Sequence, residues 1–219
     1  AFARFNQLFA SLPIRNRATL GGNLAHASPV ADSIPFLLVL NATLHTSQRV
    51  IPVQDFFTGF KQTALQAGEV IEWIQLPADT NNAIIHFDKV SRRGTTDIAT
   101  VNCAGCWHVQ QQTIVDVRLA MGGASPMPVR LSALEDALRG SDLEKLRAED
   151  FKSRLPELFQ QHLQPSLAPI SDLRGSAHYR RLLAQQLILA QLDYLLQKPH
   201  QTQQQALQQT PRAHPSKPA

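Results

Sequence analysis

The sequence has little of what marks several common classes of protein. Only two of its 219 residues are cysteines, too few for a disulfide framework, which favours a reducing, cytoplasmic location. It has no run of about 18 apolar residues and no basic segment followed by an apolar one, so neither a membrane span nor a signal peptide is expected. The P-loop, GxGxxG, HExxH and GxSxG motifs are also absent, so no common catalytic motif identifies the chemistry.

The net charge of +4 lies mostly at the C-terminal end, because residues 197–219 hold three Lys or Arg and no acidic residue. The remainder of the chain is close to neutral and has no basic cluster interleaved with aromatic residues, which disfavours nucleic-acid binding. Residues 197–219 are also rich in Gln and Pro and poor in apolar residues. We therefore predict that this tail is disordered.

The first part of the chain mixes short helices, strands and loops. One helix is predicted to begin with Asp32 or Ser33 as its N-cap, because an apolar segment follows them. Strands are predicted over residues 42–46 and 70–76. The polar residues 77–82 are a candidate domain boundary.

Three apolar runs then predict an antiparallel sheet, and helices follow it. The runs cover residues 83–91, 98–109 and 113–122. The last two are joined by a candidate hairpin loop at residues 110–112. From Leu131 the spacing becomes helical, and the longest predicted helix covers residues 177–196. This order indicates an α+β fold with a three-stranded antiparallel sheet packed on helices.

Cys103 and Cys106 have the CxxC spacing of zinc and redox sites. Side chains of a strand alternate between the two faces, so two residues three positions apart point to opposite sides of a sheet. No second CxxC supplies further ligands. We therefore interpret both residues as buried structural thiols and predict no metal site.

Two polar clusters admit both a structural and a functional interpretation. Residues 19–23, Thr-Leu-Gly-Gly-Asn, form either a tight turn or a phosphate-binding turn, because glycines let backbone N–H groups approach a ligand. Lys89, Arg92 and Arg93 with Asp97 form either a solvated strand end or a cationic group beside an electron-rich cofactor. Composition leaves both alternatives open.

Residues 14–40 read IRNRATLGGNLAHASPVADSIPFLLVL. The Arg-Asn pair, the Gly-Gly-Asn turn, the Ala-Ser-Pro and the following Asp resemble the FAD-binding segment of the molybdenum hydroxylases, the family of xanthine dehydrogenase and carbon monoxide dehydrogenase. Within this family, residues 171–175 resemble in particular the small subunit of bacterial xanthine dehydrogenases. Further segments similar to blocks of this family cover residues 56–65, 68–71, 87–101, 119–126 and 173–181.

The resemblance implies a flavoprotein. The turn at residues 19–23 would hold the phosphate and sugar of FAD through backbone amides, and Asp32 would accept hydrogen bonds from FAD hydroxyls. Phe9 would lie near the FAD rings, Ile71 beside the flavin or adenine, and Lys89 near the isoalloxazine. The cofactor-binding residues that the resemblance implies are Phe9, Thr19, Leu20, Gly21, Gly22, Asn23, Ser28, Asp32, Ile71 and Lys89. None is expected to be catalytic, because the flavin carries the chemistry.

In the whole enzyme that the resemblance implies, hydroxylation at a molybdenum centre sends electrons through two [2Fe-2S] clusters to FAD, which passes a hydride to NAD⁺. The expected partners are a molybdopterin-binding large subunit and an iron–sulfur domain, in a xanthine-dehydrogenase-like enzyme of purine catabolism. One alternative is a non-catalytic module that binds no flavin alone. Another is the flavoprotein subunit of a relative that acts on carbon monoxide, an aromatic acyl-CoA or an N-heterocycle.

The chain departs from the family pattern in two places. Residues 94–97, Gly-Thr-Thr-Asp, stand where relatives often carry an acidic run, which makes the local potential more positive and weakens the expectation of NAD⁺ as acceptor. The family's iron–sulfur domain and first FAD subdomain are not represented, and the chain starts without Met. We therefore expect the second half of a two-subdomain FAD-binding fold over residues 1–78, then a C-terminal domain over residues 79–196. This chain alone is expected to bind flavin weakly or not at all.

Overall fold

The computed structural model of the protein describes residues 2–94 and 96–198. The predicted disordered tail therefore lies outside the described residues from position 199 onward. The α-helices are α1 (Phe2–Leu8), α2 (Leu12–Arg15), α3 (Leu20–His26), α4 (Ser33–Val39), α5 (Val53–Phe56), α6 (Ser132–Leu138), α7 (Leu143–Arg147), α8 (Glu149–Leu158) and α9 (Ala177–Gln197). The β-strands are β1 (Thr43–Thr46), β2 (Val50–Pro52), β3 (Phe57–Gly59), β4 (Gln62–Thr63), β5 (Ile71–Gln75), β6 (Ile84–Ser91), β7 (Ala99–Gln110), β8 (Thr113–Gly122) and β9 (Val129–Arg130).

The C-terminal sheet is antiparallel in the order β6-β7-β8-β9. This arrangement confirms the predicted α+β class, but the sheet has four strands where the sequence predicts three. The fourth strand, β9, is only two residues long, too short for an alternating pattern to reveal it. The loop between β7 and β8 is the two-residue turn Gln111-Gln112, with φ of 48° and 68°. Positive φ at both central residues matches the right-handed twist of the strands on either side.

Each face of this sheet has its own apolar core. Cys103 and Trp107 of β7 belong to the core on the face that α6 and α9 cover. Ala104 and Cys106 of the same strand belong to the core that contains α4. The prediction that Cys103 and Cys106 point to opposite faces is therefore confirmed.

Every residue of α4 is buried, Ser33 included. The helix packs on β7 and β8 and also contacts α3 and α5. A helix that is apolar on all sides needs neighbours on all sides, and α4 finds them at the junction between the N-terminal elements and the C-terminal sheet. This packing carries Asp32, the residue before the helix, into the interior, where 7% of it remains exposed.

The N-terminal elements form a small antiparallel sheet in the order β2-β1-β5 and a hairpin of β3 and β4. The outer strand β5 faces α3, the helix whose first turn contains Gly21 and Gly22. Among the described residues no helix is both long enough and apolar enough to cross a membrane.

The core on the α9 face gives a direct test of this packing. Leu187 is 4% exposed and Leu182, on the same helix, is 47% exposed. We expect Leu187→Ala to lower the free energy of unfolding by about 2–5 kcal/mol, because it leaves a cavity in a packed core. The matched control Leu182→Ala should cost less than about 1 kcal/mol. Urea denaturation of both variants measures the difference, and equal costs would contradict the assigned faces of α9.

Candidate functional site

The Gly-Gly turn is the first turn of α3. Thr19 is its N-cap, and its Oγ1 accepts a hydrogen bond from Gly22 N–H at 3.0 Å. Asn23 N–H donates to Thr19 O, also at 3.0 Å. Within residues 2–94 and 96–198, the amides of Leu20 and Gly21 have no acceptor. The first amides of a helix lack intrahelical partners, so these two are available to a ligand oxygen.

The two glycines of the turn are needed for different reasons. A Cβ atom on Gly22 would lie 2.8 Å from Thr19 Oγ1, so a side chain there would displace the cap. A Cβ atom on Gly21 would lie 3.8 Å from Ile71 Cβ, an ordinary van der Waals distance. The protein itself therefore has room for a methyl group at Gly21. The absence of a side chain there instead keeps the backbone open to the neighbouring cavity.

A cavity of about 720 Å³ lies between the first turn of α3 and strand β5. Thr19, Leu20, Gly21 and Gly22 line one side, and Ile71 lines the other. A smaller cavity of about 140 Å³ shares Thr19 and Leu20 and is closed by aromatic and basic side chains that include Phe5, Phe9 and Arg15. The structure thus brings together six of the predicted cofactor-binding residues, Phe9, Thr19, Leu20, Gly21, Gly22 and Ile71, around two adjoining cavities.

Arg15 fixes the position of Phe9. Its guanidinium donates to Phe9 O and Ala10 O, both at 2.7 Å. These bonds hold the turn that ends α1, where Ala10 has a φ of 45°. The sequence gives no sign of this role, because the partners of Arg15 are backbone carbonyls and leave no side-chain pattern.

The strand that carries Ile71 begins beside a network of charged groups. The Glu69 carboxylate accepts from Arg49 Nε at 3.1 Å, from Thr46 Oγ1 at 2.6 Å and from Gln66 N–H at 2.8 Å. These hydrogen bonds, with that from Arg49 the strongest, lower the pKa of Glu69 from 4.5 to about 2. The network joins β1 to the start of β5, so it orders one wall of the larger cavity.

Asp32 and Lys89 meet in the interior. Lys89 Nζ lies 2.7 Å from Asp32 Oδ2, and the lysine side chain is fully buried. Asn102 Nδ2 donates to the other carboxylate oxygen at 2.8 Å. Burial raises the pKa of Asp32, and the attraction and hydrogen bond of Lys89 and the hydrogen bond of Asn102 oppose that rise.

Asp32 occupies the predicted N-cap position, but the prediction that its side chain caps the helix is wrong. The helix does begin at Ser33, with Asp32 in the preceding position, but the Asp32 side chain makes no capping hydrogen bond. Its two oxygens are occupied by Lys89 and Asn102 instead. The predicted contacts of Asp32 and Lys89 with FAD stay predictions.

The other two predicted residues lie apart from the larger cavity. The Asn23 side-chain oxygen accepts a hydrogen bond from Ser33 Oγ, which links α3 to the start of α4. Ser28 lines a separate cavity of about 320 Å³, together with His26, Lys61 and Arg174. Within the part of the chain that the structure describes, no group of His, Cys, Asp and Glu has the arrangement of a metal site.

The depressed pKa of Glu69 predicts a pH-dependent stability. A carboxyl whose pKa is lowered by folding stabilises the protein above its unfolded pKa, and this contribution is lost as the pH falls toward its folded pKa. The difference in unfolding free energy between the wild type and Glu69→Gln should therefore be full above pH 4.5 and shrink as the pH falls toward about 2. Denaturant titrations across this window measure it, and a difference independent of pH would contradict the network.

This chain is similar to known proteins over most of its length. Residues 1–79 match the FAD binding domain in molybdopterin dehydrogenase, and residues 86–194 match the CO dehydrogenase flavoprotein C-terminal domain. The nicotine 6-hydroxylase medium subunit of Paenarthrobacter nicotinovorans is 36% identical over 179 residues, 80% of this chain and 59% of that subunit. The xanthine dehydrogenase FAD-binding subunit of Escherichia coli O157:H7 is 29% identical over 178 residues, 78% of this chain and 58% of that subunit.

A solved structure of carbon monoxide dehydrogenase from Hydrogenophaga pseudoflava aligns with a TM-score of 0.76 and 28% identity, over 85% of this chain and 63% of that chain. The chain thus spans less than two thirds of the length of these relatives. The two matched domains cover most of the chain and confirm both the expected fold and FAD as the cofactor. The chain belongs to the FAD-binding flavoproteins of the molybdenum hydroxylase family.

Proposed function

We propose that this chain holds FAD in a xanthine-dehydrogenase-like molybdenum hydroxylase, between iron–sulfur clusters and NAD⁺. The observation that carries the proposal is the first turn of α3, where Leu20 and Gly21 line a cavity of about 720 Å³ and their amides have no acceptor among the described residues. FAD supplies the redox chemistry when it is bound, by accepting electrons and passing them to an acceptor. The chain's own part is to bind and orient it.

The residues around the cavity fit the parts of FAD. The amides of Leu20 and Gly21 donate hydrogen bonds to phosphate or sugar oxygens, and backbone amides suit an anionic group. Ile71 and the exposed Leu20 offer apolar surface to a ring system and exclude water from it. Phe9, held by Arg15, adds an aromatic face beside the same turn.

The proposal also covers partners, location and domain division. A molybdopterin-binding large subunit and an iron–sulfur domain supply the electrons, and the enzyme is cytoplasmic, which the two buried free cysteines of this chain favour. The FAD-binding region covers residues 1–78 and the C-terminal domain residues 79–196. The ends of the two matched domains, at residues 79 and 86, support a boundary there.

A second candidate is the flavoprotein of an enzyme that hydroxylates another N-heterocycle. The higher identity to the nicotine 6-hydroxylase medium subunit, 36% against 29% for the xanthine dehydrogenase subunit, favours it. The electron acceptor is a separate part of the proposal. Residues 94–97 carry one acidic side chain, Asp97, and Arg93 hydrogen-bonds to it at 3.3 Å. The expected positive local potential at this turn weakens the case for NAD⁺ as the acceptor.

Flavin content tests the assigned turn. In the assembled enzyme we expect Gly21→Ala, Gly22→Val and Asp32→Ala each to lower the absorbance at about 450 nm per protein. Gly21→Ala is the most informative change, because the fold has room for its methyl group, so that a loss of flavin would report on the ligand and not on the fold. Ser153→Ala, an exposed change in α8, is the control. Full flavin occupancy in Gly21→Ala and Gly22→Val would refute the site.

The chain alone gives a complementary measurement. Purified without partners and mixed with FAD, it should bind flavin weakly or not at all, because the turn is the only part of the phosphate grip that we assign to it. Equilibrium dialysis with FAD measures this binding. Tight, stoichiometric binding would show that the chain is a complete FAD site.

Turnover of the assembled enzyme separates the two candidates. Xanthine oxidation with NAD⁺ as acceptor is the expected result, and its rate is compared with that on pyridine-type heterocycles and with an artificial electron acceptor. Activity on pyridine-type heterocycles alone would favour the second candidate. Activity with the artificial acceptor but not with NAD⁺ would refute the NAD⁺ part of the proposal.

A further inference from the structure

A tight turn just before α9 presents a leucine to solvent. Asp172 N–H donates to Gly175 O at 3.1 Å and Gly175 N–H donates to Asp172 O at 3.2 Å, which closes the turn around the two residues between them. Leu173 at its tip is 97% exposed, the highest fraction of any large apolar residue in positions 2–94 and 96–198. The side chain of Leu173 therefore projects away from the rest of the described chain.

Two arginines hold this turn in place through one carboxylate. Arg180 Nη2 donates to Asp172 Oδ1 and Arg174 Nη1 donates to Asp172 Oδ2, both at 2.6 Å. Arg180 is 2% exposed and also donates to Thr100 O and, at 3.2 Å, to Gly123 O. It thus joins the turn to the start of β7 and to the residue that follows β8. These charge-assisted hydrogen bonds order a segment whose tip is an exposed apolar side chain.

Further exposed apolar side chains surround the turn. Tyr179 and Leu182 are 44% and 47% exposed, and their spacing of three positions on α9 makes them neighbours on the helix surface. Tyr179 reaches the turn, because a Cβ atom on Gly175 would lie 3.0 Å from its Cδ1. Ile170, three positions before Leu173, is 50% exposed. We refer to Ile170, Leu173, Tyr179 and Leu182 together as the Leu173 surface.

The charge around the Leu173 surface is positive. Residues 168–186 hold three arginines and a single acidic residue, Asp172, which Arg174 and Arg180 already share. Arg181 is exposed next to Leu182 and has no acceptor in the part of the chain that the structure describes. An apolar centre with a cationic rim is complementary to a protein face that has an apolar pocket bordered by carboxylates.

We infer that the Leu173 surface is a docking site for another protein chain, whose apolar pocket receives Leu173 and whose carboxylates pair with Arg181. Clustered exposed apolar residues mark such sites, and a turn that is ordered before binding loses little conformational freedom on binding. The inference rests on the proposed function, in which this chain works with other subunits. It deepens that function by naming the surface through which one of those subunits is held.

Photo-cross-linking in the assembled enzyme tests the contact directly. The photoreactive residue p-benzoylphenylalanine replaces Leu173, or replaces Ser153 in α8 as the exposed control. Irradiation should join position 173 to another subunit, and position 153 should give no such product. Equal yields at both positions would overturn the inference. So would a product that joins position 173 only to this chain or to a second copy of it, or no product between chains.

Substitutions at the tip of the turn give a second measurement. Leu173→Asp removes the apolar anchor and adds a charge that carboxylates repel, so the Kd of the full chain for the remaining subunits should rise at least about tenfold. Leu173→Met keeps an apolar side chain and should stay within about threefold of the wild type. Ser153→Asp adds the same charge in α8 and is the control. Urea midpoints equal to that of the wild type show that the variants fold, and an unchanged Kd in Leu173→Asp would overturn the docking site.

The cationic rim is tested by the kinetics of association. Arg181→Glu should slow association with the remaining subunits and weaken its dependence on salt, because steering between opposite charges is lost. Arg154→Glu makes the same change of charge at an exposed residue of α8 and is the matched control. Equal slowing in both variants, or slowing in neither, would contradict the assigned charge complementarity.

Absorbance at about 450 nm in the same samples separates this inference from the proposed function, because it reports bound flavin. If the assembled enzyme holds no FAD, the proposed function fails, and the cross-link at position 173 still decides whether another chain covers the Leu173 surface. If FAD is bound, but position 173 gives no product between chains and Leu173→Asp binds like the wild type, the proposed function stands and the docking site is refuted.

Discussion

The buried carboxylate of Asp32 is the constraint on which the rest of the structure depends. An ionised carboxylate in the interior is costly unless a cation and hydrogen-bond donors surround it. Lys89 and Asn102 meet this requirement at 2.7 and 2.8 Å, from two neighbouring strands. The start of α4 must therefore lie against β6 and β7. Because α4 is buried along its whole length, this position also fixes the N-terminal elements on the sheet.

The buried Asp32 is linked to one side of the proposed FAD site through the start of α4, and a second network of charged groups holds the other side. Ser33 at the start of α4 binds Asn23 and so orients α3. Across the larger cavity, Glu69 and Arg49 hold the start of β5, which carries Ile71. The walls of the cavity are therefore held by groups that have partners, while the amides of Leu20 and Gly21 in its lining have no acceptor among the described residues. This division explains how a site with little catalytic chemistry of its own can position a cofactor.

Whether a feature could be predicted from the sequence depends on how far apart along the chain its interacting residues lie. The apolar runs predict β6, β7 and β8, and the Gly-Gly turn at residues 19–23 is local, so both could be found from the sequence, although the helix α3 that begins with this turn was not predicted. The partner of Asp32 was not, because an acidic residue before an apolar run looks like an N-cap, and Lys89 is 57 positions away. Arg15 was missed because it binds carbonyls, and β9 because two residues show no alternation. Ser28 carried a family motif, but its place in a separate cavity depends on tertiary packing.

A crystal structure of the assembled enzyme with FAD bound tests the central claim most directly. The account predicts that phosphate or sugar oxygens of FAD lie within hydrogen-bond distance of the amides of Leu20 and Gly21. It also predicts that Lys89 still binds Asp32. FAD located away from the first turn of α3, or a Lys89 ammonium that no longer binds Asp32, would contradict it.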